Sequence, residues 1–272
     1  LYGETDFNGF LDNPIPIHGI MGDSHAALFG QGCFKEGMVK ATYGTGSSVM
    51  MNTGENPIFS KSGIVTSLAW GIDGTVNYVL EGNINYSGAV ISWLQKDLQL
   101  ISSAKETENL AKKANPLDKT YFVPAFTGLG APHWDSNATG IITGITRTTR
   151  RAEIVRASLD SIAYQITDII KSMIDDSGIP IEELRVDGGA TKNTYLMQFQ
   201  SDLLGIPVQV ANIEELSGLG AAYLAGIALG LYDKNIIFSR INRIKYERGM
   251  TTEQQMELYE GWKEAVEKVL TH

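Results

Sequence analysis

The sequence predicts an α/β domain in which helices flank a mixed sheet. Strand-like runs rich in Val, Thr, Met and Tyr cluster in the first third of the chain, and helical patterns dominate the second half. Glycine accounts for 29 of the 272 residues, and the glycines stand singly or in pairs within apolar segments. That distribution is typical of tight turns and close backbone approaches, as in nucleotide-binding α/β domains, rather than of linkers.

The bulk composition narrows the class of protein. With 43% hydrophobic and 19% charged residues the chain has enough apolar mass for a sizeable core, and no internal linker or repeat divides residues 1–272. The net charge of −9 argues against nucleic acid as a partner. The sequence has no apolar run long enough for a bilayer and no basic-then-apolar leader, so we expect no membrane partner and a cytoplasmic location.

The cysteine and histidine content argues against a disulfide framework and against structural zinc. Cys33 is the single cysteine, which excludes an internal disulfide and fits a reducing compartment. Together with Cys33, the four histidines (His18, His25, His133 and His272) show no metal-ligand spacing. We therefore expect no structural zinc site, and we interpret His25 and His133 as structural residues.

The first third of the chain is predicted to build the sheet. Residues 1–20 are expected to be irregular, and a helix follows over 23–34 with Asp23 or Ser24 as its N-cap. Turn signals then separate predicted strands over 38–44, 47–54, 63–70 and 75–82. Because consecutive strands joined by short turns usually pair, we expect an antiparallel meander that enters a mixed sheet.

The middle of the chain is predicted to become helical. A helix is expected over 85–101, and the charged run that ends at residue 113 is interpreted as a solvated surface. The clearest helix covers 152–174. Apolar residues spaced three or four positions apart give this helix one buried stripe, formed by Val155, Leu159, Ile162, Ile166, Ile169 and Met173.

The last third predicts a strand, a glycine turn and a helix over 183–205, with Gly205 as the helix stop. A short strand over 208–210 and a helix rich in small residues over 216–230 follow. The final helix is predicted over 251–270 and begins with a capping-box pattern, Thr252 and Gln255.

Two glycine loops are candidates for phosphate binding. Gly44-Thr45-Gly46 lies between strand-like runs and is either a plain hairpin turn or a set of bare amides that faces a phosphate with the Thr45 hydroxyl. The segment 186–193 is either a plain strand-to-helix turn or an anion site at a helix N-terminus. Neither loop is a Walker A element, because GxxxxGK[ST] is absent from the sequence.

Asp23 and the loop 125–134 also allow two interpretations. The loop is punctuated by glycine, proline and aromatic residues and is best interpreted as an ordered loop packed by its own side chains. Asp23 is either an N-cap or the acceptor of a proton from an attacking hydroxyl in phosphoryl transfer.

Several segments, in this order, resemble the C-terminal domain of the FGGY family of carbohydrate kinases, and within it the glycerol kinases. They are GD-x-x-AALFGQ, K-x-TYGTG, MNTGE, VPAFTGLGAP-x-WD, RASLDSIAYQ, LRVDGGA, LMQFQSD and LGAAYLAG. The resemblance implies a ribonuclease-H-like fold of the actin and hexokinase type, in which two domains close around ATP and substrate. It further implies a kinase that uses ATP with Mg²⁺, yields ADP, and acts on a small polyol or sugar.

The resemblance also assigns roles to particular positions. Asp23 would be the catalytic base and a substrate contact, and Thr45 would contact the terminal phosphates. The remaining nucleotide contacts implied by the family are Gly46, Gly88, Ser92, Gly189, Ala190 and Asn193, with Asn193 near the adenine or ribose.

Departures from the glycerol kinase pattern affect both substrate and nucleotide. Ser24 replaces the usual glutamine after the catalytic aspartate, and Ser48 replaces the usual aromatic residue that packs on glycerol carbons. Both changes predict a larger, more polar substrate pocket, suited to a pentulose or to a polyol of about four or five carbons. Ser92 replaces a glutamine that often meets the nucleotide.

Alternatives remain within and outside the family. A xylulose-type ketose kinase and a non-catalytic nucleotide sensor both fit the resemblance. A dinucleotide oxidoreductase does not, because no GxGxxG with a distant acidic partner is present. The chain starts at Leu1 without Met, which suggests a fragment or an excised domain. The resemblance implies that an N-terminal substrate domain would precede Leu1 and is absent from this chain. We therefore expect the isolated chain to be inactive, and a homodimer or tetramer is compatible with it.

Overall fold

The computed structural model describes residues 1–72, 74–213 and 215–271, so His272 lies outside the described residues. The elements in chain order are β1 (Gly3–Thr5), β2 (Ile15–Ile17), α1 (Asp23–Gly30), β3 (Val39–Tyr43), β4 (Ser47–Gly54), β5 (Val65–Ile72), β6 (Thr75–Ile84), α2 (Gly88–Lys96), α3 (Glu106–Lys113), β7 (Tyr121–Val123), β8 (Ile141–Thr143), α4 (Arg151–Ser177), β9 (Leu184–Asp187), a 3-10 helix (Gly189–Lys192), α5 (Thr194–Leu204), β10 (Val208–Ala211), α6 (Leu216–Ala228), α7 (Lys234–Ser239), β11 (Arg243–Tyr246) and α8 (Thr252–Glu267).

A seven-stranded mixed sheet with the strand order β11-β10-β9-β3-β4-β6-β5 forms the centre of the fold. The pairs β3–β9 and β9–β10 are parallel, and the other pairs are antiparallel. The predicted meander is wrong, because β4 pairs with β6 while β5 lies at the edge. The reason is burial: Val79 and Leu80 of β6 are fully buried, whereas Val65 and Leu68 of β5 are exposed and suit an edge strand.

Helices cover both faces of the sheet. Successive residues of a strand point to opposite faces, so Val49 and Met51 of β4 pack in the main core with α4, while Met50 packs on the other side with α1. The apolar stripe predicted on α4 is buried along its length, and its members are at most 2% exposed. Trp262 of α8 joins the same core. The predicted fold class is therefore confirmed.

The helix ends differ from the predictions in detail. Gly22, not Asp23 or Ser24, is the N-cap of α1, and no side chain caps that helix. The capping box of α8 is formed by Thr251 and Gln254, one residue earlier than predicted. Gln255 is therefore not part of the capping box. Its side-chain amide donates a hydrogen bond to the Leu203 carbonyl oxygen at 2.7 Å, which links α8 to α5.

The chain also contains elements that the periodicity did not indicate. The segment predicted to be irregular contains β1 and β2, and the charged run forms α3 with Thr107 and Ala111 buried. β7, β8, β11 and α7 are short or partly exposed, so their patterns are weak. In the part of the chain that the structure describes, no helix is long and apolar enough to cross a membrane.

Candidate active site

The sheet register brings the two phosphate-loop candidates to one edge. β3 and β9 are parallel neighbours, with Thr42 paired to Asp187, so the turns that follow these strands leave the sheet side by side. Gly188 packs directly on the end of β3: a Cβ there would lie 2.3 Å from the Tyr43 carbonyl oxygen, and its φ is +98°. Only glycine permits this approach, so the two turns are held against each other.

The turn after β3 is a hairpin turn whose backbone is fixed by α2. The Gly44 amide donates to the Gly46 carbonyl at 2.9 Å. At the start of α2 the Gly88 amide donates to Gly44 O and the Ala89 amide to Thr45 O, each at 3.0 Å. A Cβ on Gly88 would lie 2.7 Å from Gly44 O, so this glycine supports the turn from behind.

Asp23 lines a cleft beside that hairpin turn. It is the first residue of α1, it is exposed, and its Oδ1 accepts a hydrogen bond from the Ser24 amide at 2.7 Å. The cleft has a volume of about 590 Å³. It collects the predicted residues Asp23, Ser24, Thr45, Gly46 and Ser48. The carboxylate, the hydroxyls and the glycine turn therefore face one space.

A second cavity, of about 380 Å³, contains the other predicted nucleotide contacts, Gly189, Ala190 and Asn193. A Cβ on Gly189 would meet no atom within 4 Å, so the backbone there faces open space. α2 borders both spaces, because Ala89 lines the cleft and Ile91 lines the second cavity. The predicted residues therefore lie in two spaces, and α2 contributes to the lining of both.

The segment after β9 differs from the predicted helix N-terminus. Gly189 begins a 3-10 helix, and α5 starts only at Thr194. The Asn193 side chain caps α5 by accepting from the Leu196 amide at 3.1 Å, and its amide donates to Thr107 Oγ1 at 3.1 Å. Asn193 is thus oriented by the protein at the wall of the second cavity.

Two predicted nucleotide residues line neither space. Gly88 lies behind the hairpin turn, and Ser92 is exposed on α2. Of the two histidines interpreted as structural, His25 has a polar partner, because its Nε2 is 3.3 Å from Ser67 Oγ. His133 Nε2 is buried and 3.9 Å from a carboxylate oxygen of Asp168 on α4, and it has no hydrogen-bond partner among the described residues.

The loop 125–134 was predicted to be packed by its own side chains, but residues outside it hold much of it. The Trp134 amide donates to Gly130 O at 2.9 Å within the loop, whereas the Leu129 amide donates to Asp135 O and the Trp134 indole to Gly63 O, each at 2.8 Å. One member of this loop reaches the cleft: Thr127, whose hydroxyl accepts from Tyr86 at 3.0 Å.

Two buried ionisable residues near the cleft, Lys40 and Asp187, were missed by the sequence analysis. Lys40 is fully buried, and loss of hydration lowers its pKa to about 8, although the Asp187 carboxylate acts in the opposite direction. Burial raises the pKa of Asp187 despite Lys40 and despite hydrogen bonds from Thr42 and Gln31. The only sequence signal was the presence of charged residues at apolar-looking strand positions.

Other cleft residues were also missed. They come from loops and strand ends that are remote in sequence: Thr42, Asn83, Asn85, Tyr86, Thr127 and Ser217. Their residue types carry no distinctive motif, so only the folded chain gathers them. Among the described residues, no group of three or more His, Cys, Asp or Glu side chains is placed to hold a metal ion.

Comparisons with known proteins agree with this architecture. The model of the FGGY family of carbohydrate kinases, C-terminal domain, matches residues 39–229. The glycerol kinase of Alkaliphilus oremlandii is 52% identical over 99% of this chain, and that of Caldanaerobacter subterraneus is 50% identical over the same share. Each match covers 54% of the relative, so the chain spans about half the length of the curated relatives it matches.

Solved structures of glycerol and xylulose kinases also superpose on this chain. Plasmodium falciparum glycerol kinase with ADP superposes with a TM-score of 0.89 at 37% identity, covering 97% of this chain and 53% of that one. A ligand-bound xylulose kinase from Lactobacillus acidophilus superposes with a TM-score of 0.78 at 21% identity, covering 90% of this chain and 49% of that one, which is a likeness of fold alone. These matches confirm the resemblance inferred from the sequence motifs.

Proposed function

Because this chain belongs to the FGGY family of carbohydrate kinases, we propose that it is the nucleotide-binding half of an ATP-dependent kinase for a small polyol or sugar. The observation that carries the proposal is the cleft: an exposed Asp23 carboxylate shares it with Thr45 and the glycine turn, and a second turn follows the neighbouring strand. Phosphoryl transfer needs little beyond such positioning and charge stabilisation.

Asp23 supplies the base in this proposal. A substrate hydroxyl hydrogen-bonded to its carboxylate attacks the γ-phosphorus of ATP in line, and its proton passes to Asp23. The bond between the γ-phosphorus and the bridging oxygen breaks, and ADP leaves with that oxygen. Exposure of Asp23 at the start of α1 lets its oxygens face the acceptor alcohol.

The nucleotide runs from the cleft to the second cavity. Thr45 and the amides of Gly46 and its neighbours lie at the phosphate end, where bare backbone lets an anion approach. Gly189, Ala190 and Asn193 border the adenosine end, where an apolar wall with an oriented amide suits a nucleoside. Gly88 acts indirectly by fixing the hairpin turn, and Ser92 makes at most a peripheral contact.

The residues present fit magnesium bound through phosphate. Mg²⁺ usually keeps several waters and binds substrate phosphates, so it would need few ligands from this wall of the cleft, and Asp23 is left to accept the proton. When bound, Mg²⁺ neutralises charge on the phosphates. Thr45 and Ser24 add hydroxyl oxygens nearby.

A more specific proposal concerns the alcohol that accepts the phosphoryl group. Ser24 and Ser48 both line the cleft with small hydroxyl side chains, in place of the amide and aromatic side chains expected in glycerol kinases. We propose a preference for an alcohol larger than glycerol, such as a polyol of about four or five carbons or a pentulose. The ketose kinase alternative rests on the same two serines.

The proposal also includes a second domain. Half a cleft cannot hold an alcohol in line or exclude water, so the substrate-side wall must come from another domain, as in a two-domain kinase. A homodimer or tetramer is compatible with this arrangement, and the described surface does not single out either assembly.

A chimaera tests the function. This chain would replace the matching half of the Alkaliphilus oremlandii glycerol kinase, and ATP-dependent phosphorylation would be measured with glycerol, erythritol and D-xylulose. We expect turnover, with a higher ratio of kcat/KM for the larger acceptors to kcat/KM for glycerol than in the parent glycerol kinase. Nucleotide binding without turnover on any acceptor would support the non-catalytic sensor instead, and a ratio no higher than that of the parent enzyme would refute the larger acceptor.

A further inference from the structure

Lys40 is a buried cation whose hydrogen bonds end on the cleft wall. Its side chain is fully buried on β3. Its ammonium donates to Thr42 Oγ1 at 3.2 Å, to Ser48 Oγ at 3.1 Å and to the Ser48 carbonyl oxygen at 3.3 Å. Thr42 and Ser48 both line the cleft, so every acceptor of Lys40 belongs to the hairpin that borders it.

These contacts fix the direction of the Ser48 hydroxyl group. An ammonium has three donors and no acceptor, so the Ser48 oxygen must use a lone pair toward Lys40. Its own hydrogen then points away from the ammonium. Ser48 lines the cleft, so the cleft is open to this hydrogen. The hydroxyl group is therefore oriented as a donor toward an acceptor oxygen in the cleft.

Hydrogen bonds, rather than charge alone, hold the Lys40 ammonium in place. Burial lowers the pKa of Lys40 to about 8, although Asp187 on β9, Glu81 on β6 and Asp23 on α1 act in the opposite direction. Asp187 is in turn fixed by the Gln31 side-chain amide, which donates to it at 3.0 Å. An ammonium that turned away from Thr42 and Ser48 would lose its hydrogen bonds at a buried position, which is costly for a cation.

We propose that Lys40 is a positioning residue that presets Ser48 as a hydrogen-bond donor, and that the cleft therefore selects an alcohol bearing a further hydroxyl or carbonyl oxygen at the Ser48 side. This inference rests on the proposed kinase function and deepens it. It explains why a serine, rather than an aromatic side chain, is useful at this position: the aromatic ring would leave one ammonium donor without its side-chain acceptor.

A double-mutant cycle in the chimaera tests the proposal. Lys40→Met and Ser48→Ala would be made singly and together in an Asp187→Asn background, so that no buried carboxylate loses its cation. We expect each single change to raise KM for erythritol or D-xylulose about 3- to 10-fold, as for a lost hydrogen bond, with kcat changed less than about twofold. The combined variant should show no larger rise than either single one.

The outcomes are distinct. If Lys40→Met raises KM by the same factor with alanine at position 48 as with serine, Lys40 does not act through Ser48 and the inference is overturned. Equal thermal midpoints across the cycle would exclude a loss of fold as the cause of any change. Absence of turnover in the unmodified chimaera would overturn the proposed function itself, and the inference with it.

Discussion

Asp23 combines exposure with a fixed position, which is what a proton acceptor for an alcohol requires. Its carboxylate faces the cleft from the first turn of α1, and it does not serve as the cap of that helix. The Ser24 amide holds one of its oxygens, which orients the group without burying it. The residue is therefore free to bind an incoming hydroxyl.

Asp23→Asn in the chimaera should lower kcat by about 10²- to 10⁴-fold, because the amide keeps the shape but cannot accept the proton. The affinity for ADP, measured by calorimetry on the same variant, should change less than about threefold. A variant that retains more than a tenth of the wild-type kcat would contradict the role of Asp23 as base.

Asp160 shows how one buried carboxyl couples stability to pH. It lies on α4 with 13% of its side chain exposed, and it accepts from the Tyr195 hydroxyl at 2.8 Å. Burial raises its pKa to about 7 from a usual 3.8, although Arg156 acts in the opposite direction. Between these values the folded chain binds a proton that the unfolded chain has lost, so ionisation destabilises the fold as pH rises.

Asp160→Asn should remove this pH dependence. From pH 4 to pH 7 the free energy of unfolding of the variant should rise relative to that of the wild type, by on the order of 2–4 kcal/mol at most. Urea denaturation at several pH values measures this difference. A constant difference across the range would show that Asp160 is not the group responsible.

At the scale of elements, the site depends on how closely α1 approaches α6. Gly220 of α6 meets the backbone of α1 so closely that a Cβ there would lie 1.9 Å from the Ala26 carbonyl oxygen. Gly30 of α1 makes an equally close approach to α6, because a Cβ on it would lie 2.4 Å from the Leu216 carbonyl oxygen. The packing of these two helices therefore sets the position of α1, and Asp23 with it.

Gly220→Ala should force the helices apart and lower the free energy of unfolding by about 1–3 kcal/mol, the usual cost of overpacking. Gly218→Ala is the matched control, because it lies on the same helix and its Cβ would meet only the Glu215 side chain at 3.6 Å. Thermal or urea unfolding of both variants measures the difference. Because alanine has the higher helix propensity, Gly218→Ala should be neutral or stabilising, and equal destabilisation of the two variants would show that the close approach at Gly220 is not the cause.

The elements themselves were predicted with uneven success. The hairpin β3–β4 and the helices α4, α5 and α6 were predicted from local signals, since alternation, helical spacing and glycine stops are all short-range. The pairing of β4 with β6 was not, because strands exchange neighbours according to which of them is buried. The capping box of α8 was misplaced by one residue, since two adjacent threonines, Thr251 and Thr252, stand at the start of the helix and only the folded structure selects between them.

At the scale of the whole molecule, the proposed function treats the cleft as one wall of a larger site. Asp23 and Thr45 of the cleft are exposed, whereas Ala27, Ser47 and Ile84 are buried. An open wall can bind a nucleotide by its phosphates and adenosine, but it cannot exclude water or hold an acceptor in line. If the proposed function is correct, catalysis therefore requires an opposing wall.

The isolated chain should bind ADP weakly and show less than about 1% of the phosphoryl transfer of the chimaera, because positioning supplies most of the catalysis. Calorimetry with ADP and a coupled assay with ATP and erythritol measure the two properties on one preparation. Turnover by the isolated chain comparable with that of the chimaera would show that the opposing wall is not required.

The sequence by itself determined the class of fold, the buried face of α4, and the identity of the glycine turns and of Asp23 as candidates, because each of these is encoded by residues close together in the chain. Only the tertiary structure decided that the turns after β3 and β9 are neighbours, that Gly88 supports one turn from behind, and that Lys40 lies buried against Ser48. The physical reason is that strand neighbours and buried charges depend on contacts between segments far apart in sequence, and no local pattern records them.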